Sequence, residues 1–131
     1  MEFQLVRLWG VPMSDGLPVP VTITRVVQES PGVTTIFFDK VFTSNPGQFV
    51  MVWAVGTDEV PMALSYPNAV TVQRVGEATS VLVTMKPGDK LGIRGPFGNG
   101  FSIQGKILAI AGGVGTAPLL RIGLEYQDVT F

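Results

Sequence analysis

From Pro18 to Gln28, apolar Val19, Val21 and Ile23 alternate with Pro20, Thr22 and Thr24, the period of two that predicts a half-buried strand. Its early prolines predict an edge position, where a missing amide breaks no ladder bond. Val33 to Asp39 is β-branched and aromatic, and Gln48 to Val55 follows the turn Ser44-Asn45-Pro46-Gly47, so both predict strands. Val60 to Tyr66 and Ala69 to Val75 predict a hairpin about Pro67-Asn68, which would bring Ser65 and Arg74 near one another. Ala78 to Met85 reads two ways. Its Val and Thr content favours a strand, while Gly76 ahead of it and Pro87-Gly88-Asp89 behind it fit a short helix with Thr79 near its start. Lys90 to Arg94 is a short strand that ends in Gly95-Pro96-Phe97-Gly98-Asn99-Gly100.

The pattern then changes. Lys106 to Ala111 is apolar without alternation, as in a parallel strand covered on both faces, and glycines and a helix over Thr116 to Tyr126 follow it. The expected architecture is therefore mainly β. An irregular N-terminal extension over 1–17 leads into a six-stranded antiparallel barrel over 18–104, and 105–131 forms the first strand-helix unit of an incomplete nucleotide-binding sheet.

The composition suits a chain of 131 residues that folds as one compact body. Hydrophobic residues make up 46% and charged residues 15%, which excludes a disordered chain. Nine Lys and Arg stand against ten Asp and Glu, with no run of like charge, so no field draws the chain to nucleic acid or an anionic membrane. With no Cys and no His, the chain has no thiolate nucleophile, no Cys or His metal site, no iron-sulfur ligand and no Ser-His-Asp triad. Its chemistry must be carboxylate-based or borrowed from a cofactor. The longest uncharged apolar stretch, Ile107 to Leu120, carries three glycines and a proline and falls short of a membrane span. Without a secretory signal at the N-terminus, a cytoplasmic location is expected.

Four stretches can carry a function. Gly112-Gly113-Val114-Gly115-Thr116-Ala117-Pro118 follows the apolar strand and opens a helix. Glycines there admit a pyrophosphate to the backbone, helix amides supply donors, Thr116 can cap and Pro118 suits a first turn. It lacks the third glycine of the usual dinucleotide fingerprint, so a plain strand-to-helix turn is an equal alternative. Gly76-Glu77-Ala78-Thr79 offers the same physics again if a helix follows, against a simple β-turn. Ser65, in Pro61-Met62-Ala63-Leu64-Ser65-Tyr66, could hydrogen-bond a ring nitrogen while Leu64 or Tyr66 packs on the ring face, or it could be structural. Arg94 could serve a pyrophosphate or cover the barrel end.

In this order the stretches resemble the ferredoxin reductase-like flavoproteins, most closely the electron-transfer subunits of type B dihydroorotate dehydrogenases. The likeness runs from about Thr22 to Gly123 and includes Pro46-Gly47-Gln48-Phe49-Val50, Lys86-Pro87-Gly88-Asp89 and Gly95 to Phe101. The resemblance implies FAD as cofactor, with Ser65 beside the flavin N5 as the catalytic neighbour, and Met62, Ala63, Leu64 and Tyr66 along the isoalloxazine strand. It implies that Gln73, Arg74, Gly76, Ala78 and Thr79 hold the ribityl pyrophosphate, and it selects the helix for Ala78 to Met85. Gly112, Gly113, Gly115, Thr116 and Pro118 would meet NAD(H). Met62 and Leu64 stand where many relatives carry Arg and Tyr, which leaves the counter-charge to Arg74 or Arg94.

The same resemblance implies an oxidoreductase component of pyrimidine biosynthesis that exchanges electrons between NAD(H) and a catalytic dehydrogenase subunit. Such relatives continue into the rest of the nucleotide-binding sheet and a cysteine-rich iron-sulfur segment, so this chain is expected to be a truncated product, a remnant or a designed fragment, without a cluster. The acid that reads the ribose lies about 20 residues beyond the glycines, so NAD and NADP are not separated. A competing expectation is a non-catalytic β-barrel binding or assembly module whose glycine turns are structural. The strand at 107–110 would be an unprotected edge and would support self-association.

Overall fold

The computed structural model describes residues 16–126 and 128–131. Most of the predicted extension over 1–17 therefore lies outside the described residues. Six strands close a barrel: β1 (Val19–Ser30), β2 (Val33–Phe38), β3 (Phe49–Trp53), β4 (Val60–Tyr66), β5 (Ala69–Gln73) and β6 (Lys90–Phe97). They run in the order β1-β2-β5-β4-β3-β6, and every neighbouring pair is antiparallel.

Inward positions recur with period two, because successive side chains on a strand point to opposite faces. Val21 and Ile23, Ile36 and Phe38, Val50 and Val52, Val70 and Val72, and Leu91 and Ile93 form one core. A short helix, α1 (Glu77–Leu82), joins β5 to β6 and sends Leu82 into that core, with no exposure. The helical alternative for this stretch is the one adopted.

The proline-marked β1 is not an edge. Its first part pairs with β6 through Val19 to Thr22 and its second part with β2 from Ile23 onward, which closes the barrel. The parallel strand is also shorter than its apolar run. Only Ile107–Leu108 (β7) is strand, and it pairs in parallel with a two-residue β8 (Val129–Thr130) that the pattern did not announce. Between them lie a 3-10 turn at Gly113–Gly115 and α2 (Thr116–Glu125). Leu108 and Ile110 are exposed, so the run is not covered on both faces.

The helix α2 packs on the barrel at β4. Arg121, only 3% exposed, fixes it there. Its guanidinium donates to Ser44 Oγ at 2.8 Å and Ser44 O at 2.7 Å, and to Glu125 Oε1 at 2.8 Å. This anchor brings the glycine turn up against the barrel wall. No helix among the described residues is long and apolar enough to cross a membrane.

Candidate functional site

A cleft of about 410 Å³ lies between the barrel and the start of α2. One wall belongs to β1, β2 and the β4–β5 hairpin: Glu29, Val33, Thr35, Tyr66, Thr71 and Gln73. The other is the glycine turn and the first half of α2, with Gly113, Val114, Thr116, Ala117 and Leu120. The Tyr66 ring is braced by Phe37, whose centroid lies 5.5 Å away, and Arg25 covers the Phe37 ring at 4.1 Å. The wall thus offers one rigid aromatic face beside a row of polar groups.

The glycines of the turn open onto space, as do Gly56, Gly76, Gly88 and Gly105, whereas others are enclosed by packing. A Cβ at Gly92 would meet Pro18 at 2.9 Å and Trp53 at 3.0 Å, and one at Gly100 would meet Asn45 at 2.7 Å, so packing demands glycine at both. At Gly112 and Gly115 nothing lies within 4 Å, and their φ values of -144° and -62° suit any residue. No contact within this fold calls for glycine at these two positions, while Gly113 between them has a φ of +57°, which favours glycine through the backbone alone. Thr116 does not cap: it is the first residue of α2, the N-cap is Gly115, and no side chain satisfies that end. Pro118 falls in the first turn, as expected.

The Gly76 bend is arranged otherwise than expected. Thr79 Oγ1 accepts from the amides of Val75 and Gly76, both at 2.9 Å, and donates to Gly76 O at 3.2 Å. The hydroxyl is turned inward as a cap, and those two amides are paired. Donors toward a ligand must come from Glu77, Ala78 and Thr79, whose amides precede the first intrahelical bond, from Ser80 N to Gly76 O. Arg74 stands over this turn, with Nε donating to Ser80 Oγ at 3.3 Å. It faces a second cleft of about 380 Å³, with Gly32, Thr34, Val83 and Thr84, while neighbouring Gln73 faces the first.

The remaining candidates divide. Arg94 is held by Glu59 through two contacts, at 3.0 and 3.3 Å, and lies over the Phe97 ring, the barrel-end role of its two alternatives. Leu64 belongs to the barrel core and Met62 packs against it, so neither side chain reaches the cleft, while Ala63 pairs with Phe49. Ser65 is fully enclosed and donates to Ala69 O at 3.3 Å.

Ser65 and Arg74 are not brought together. The pairing of Leu64 with Val70 and Tyr66 with Ala69 puts Ser65 at the closed end of the hairpin. Arg74 lies five residues beyond Ala69, roughly 16 Å along an extended chain.

Glu29, Val33, Thr35, Phe37 and Thr71 were absent from the sequence candidates. Their signal was the same period of two that revealed the core. On β2, Val33, Thr35 and Phe37 alternate with the inward Ile36 and Phe38. The pattern names the outer face, but only the docking of α2 makes part of it a cleft.

No family model matches the sequence. Curated relatives do. Over 115 residues the chain is 53% identical to the "Probable dihydroorotate dehydrogenase B (NAD(+)), electron transfer subunit" of Methanocella arvoryzae, covering 86% of this chain and 45% of the relative. Identities to the proteins of the same description from Methanocaldococcus jannaschii and Thermoplasma acidophilum are 46% and 45%, covering 84% and 82% of this chain and 43% and 45% of theirs. The chain spans less than half the length of these relatives.

Among solved structures, phthalate dioxygenase reductase superposes with a TM-score of 0.73 at 16% identity over 90% of this chain and 43% of that one. An Amycolatopsis cytochrome P450 reductase gives 0.67 at 23% identity, over 82% and 38%. These likenesses establish the fold, and the sequence identities narrow it further. The chain has the fold of the ferredoxin reductase-like proteins, and by sequence it is similar to electron-transfer subunits of dihydroorotate dehydrogenase B over less than half of their length.

Proposed function

We propose that this chain is the FAD-binding part of an electron-transfer subunit that passes electrons between NAD(H) and a partner dehydrogenase such as dihydroorotate dehydrogenase. Residues 18–104 are the flavin barrel and 105–131 begin the nucleotide-binding sheet. The carrying observation is the cleft itself: a braced aromatic face at Tyr66 lies opposite a glycine turn that packing does not require.

The residues present fit the cofactor. Tyr66 packs against the ring, Gln73 and the α1 amides meet the ribityl pyrophosphate, and Arg74 supplies counter-charge at the Gly76 bend. The glycine turn and the N-terminal end of α2 face a nicotinamide dinucleotide, with the Thr116 amide itself spent on Gly113 O and Val114 O within the turn. Ser65 adjoins Tyr66, but its enclosed hydroxyl donates to Ala69 O, so its role as the N5 neighbour rests on the resemblance and not on the cleft. When bound, flavin supplies the hydride acceptance and one-electron release that a chain without Cys or His lacks. The protein binds and orients the ring and keeps water from its barrel face.

The test is calorimetric titration with FAD, FMN and riboflavin. Tighter binding of FAD than of riboflavin supports diphosphate recognition by the Gly76 bend and Arg74. Equal affinities, or none, contradict it.

One observation favours a second reading, an assembly module. Leu108 and Ile110 are 70% and 85% exposed on the C-terminal unit. Under this reading the 107–110 segment pairs with another copy of the chain.

A further inference from the structure

Phosphate binding does not account for Glu29. Its carboxylate stands on the barrel wall of the cleft, where it repels a diphosphate, and among the described residues no cation pairs with it. Yet one of its oxygens is held. Thr35 Oγ1 donates to Glu29 Oε1 at 2.7 Å and lies 2.9 Å from Thr71 Oγ1. A hydroxyl has one proton, and Thr35 gives its own to the carboxylate, so Thr71 must be the donor to Thr35. The chain runs Thr71 to Thr35 to Glu29, with Thr35 only 2% exposed.

Such a chain orients the carboxylate and leaves Oε2 to accept from a ligand in the cleft. The place of this group along the wall identifies the donor. Tyr66 lies at one end of β5, and the Gly76 bend follows the other end. In FAD the ribityl chain joins the ring to the diphosphate. A ligand in the cleft with its ring at Tyr66 and extending toward Gln73, the far lining residue on β5, therefore lays its hydroxyls past Thr71, Thr35 and Glu29.

We propose that Glu29 reads a vicinal diol of the bound coenzyme, with Thr35 and Thr71 as positioning residues. This rests on the FAD reading above. The shared chemistry is a sugar diol, supplied either by the flavin's ribityl chain or by the nicotinamide ribose.

The test is calorimetry on the full chain and on its Glu29→Ala and Thr35→Val variants, each checked by thermal melting. The probes are riboflavin, lumiflavin, which keeps the ring but has a methyl group for the ribityl chain, and nicotinamide riboside. The expected result is a loss of about tenfold or more in riboflavin affinity for Glu29→Ala, with lumiflavin unchanged. Thr35→Val loses part of this, and the double variant binds no more weakly than Glu29→Ala, because the two act as one unit. Loss confined to nicotinamide riboside assigns the diol to the dinucleotide and supports the proposal. Equal losses for lumiflavin and riboflavin, or no loss for any hydroxylated probe, overturn it. If the native chain binds riboflavin and Glu29→Ala binds it equally well, only this inference falls. If the native chain binds no flavin at all, the FAD reading falls and takes the inference with it.

Discussion

At the scale of the residue, the two kinds of glycine make opposite predictions. Gly115→Ala enters open space at an ordinary φ, so its melting temperature should stay level or rise, by about 0.4–1 kcal/mol of stability, while coenzyme affinity falls about tenfold. Gly92→Ala drives a methyl into Pro18 and Trp53 and should cost about 1–3 kcal/mol with coenzyme affinity unchanged. Paired melting curves and titrations check both, and a destabilised Gly115→Ala would return the turn to a structural role. The glycines were legible in the sequence, but their surroundings were not. Thr79 likewise reads as a phosphate contact until its hydroxyl is seen to accept two amides of its own bend. Arg94 reads as a counter-charge until Glu59, distant in sequence, claims it.

At the scale of the element, the strands were readable because alternation records which face is buried, and Val50, Val52, Val70 and Val72 fall where that period puts them. α1 was ambiguous because six residues are too short for a helical period to show. It depends instead on its cap. Thr79→Val leaves the Val75 and Gly76 amides without their acceptor and should cost about 1–2 kcal/mol in chemical denaturation, with Thr79→Ser close to native. The docking of α2 left no mark in the sequence, since Arg121 and Ser44 are 77 positions apart. Arg121→Met strips Ser44 O of its donor, while Glu125 stays solvated, and should cost about 1–3 kcal/mol. A melt unchanged by that substitution would mean that α2 is held by its apolar face alone.

At the scale of the whole molecule, the barrel followed from its parts, while closure depends on β1 pairing with β6 along its first part and with β2 along its second. Proline in β1 suggested an edge because local sequence carries no information about pairing with β6, about 70 positions away, where Pro20 stands opposite Gly92. The C-terminal unit exposes Leu108 and Ile110, so sedimentation should detect self-association that Ile110→Lys abolishes; a native monomer at all concentrations contradicts the assembly reading. The central claim is that the cleft between Tyr66 and the glycine turn receives a flavin dinucleotide. Its most direct measurement is the visible absorption spectrum of the chain after incubation with FAD and removal of free ligand. Retained yellow colour, with a two-banded spectrum resolved beyond that of free FAD and about one equivalent bound, is the predicted result. A colourless, folded protein would contradict it.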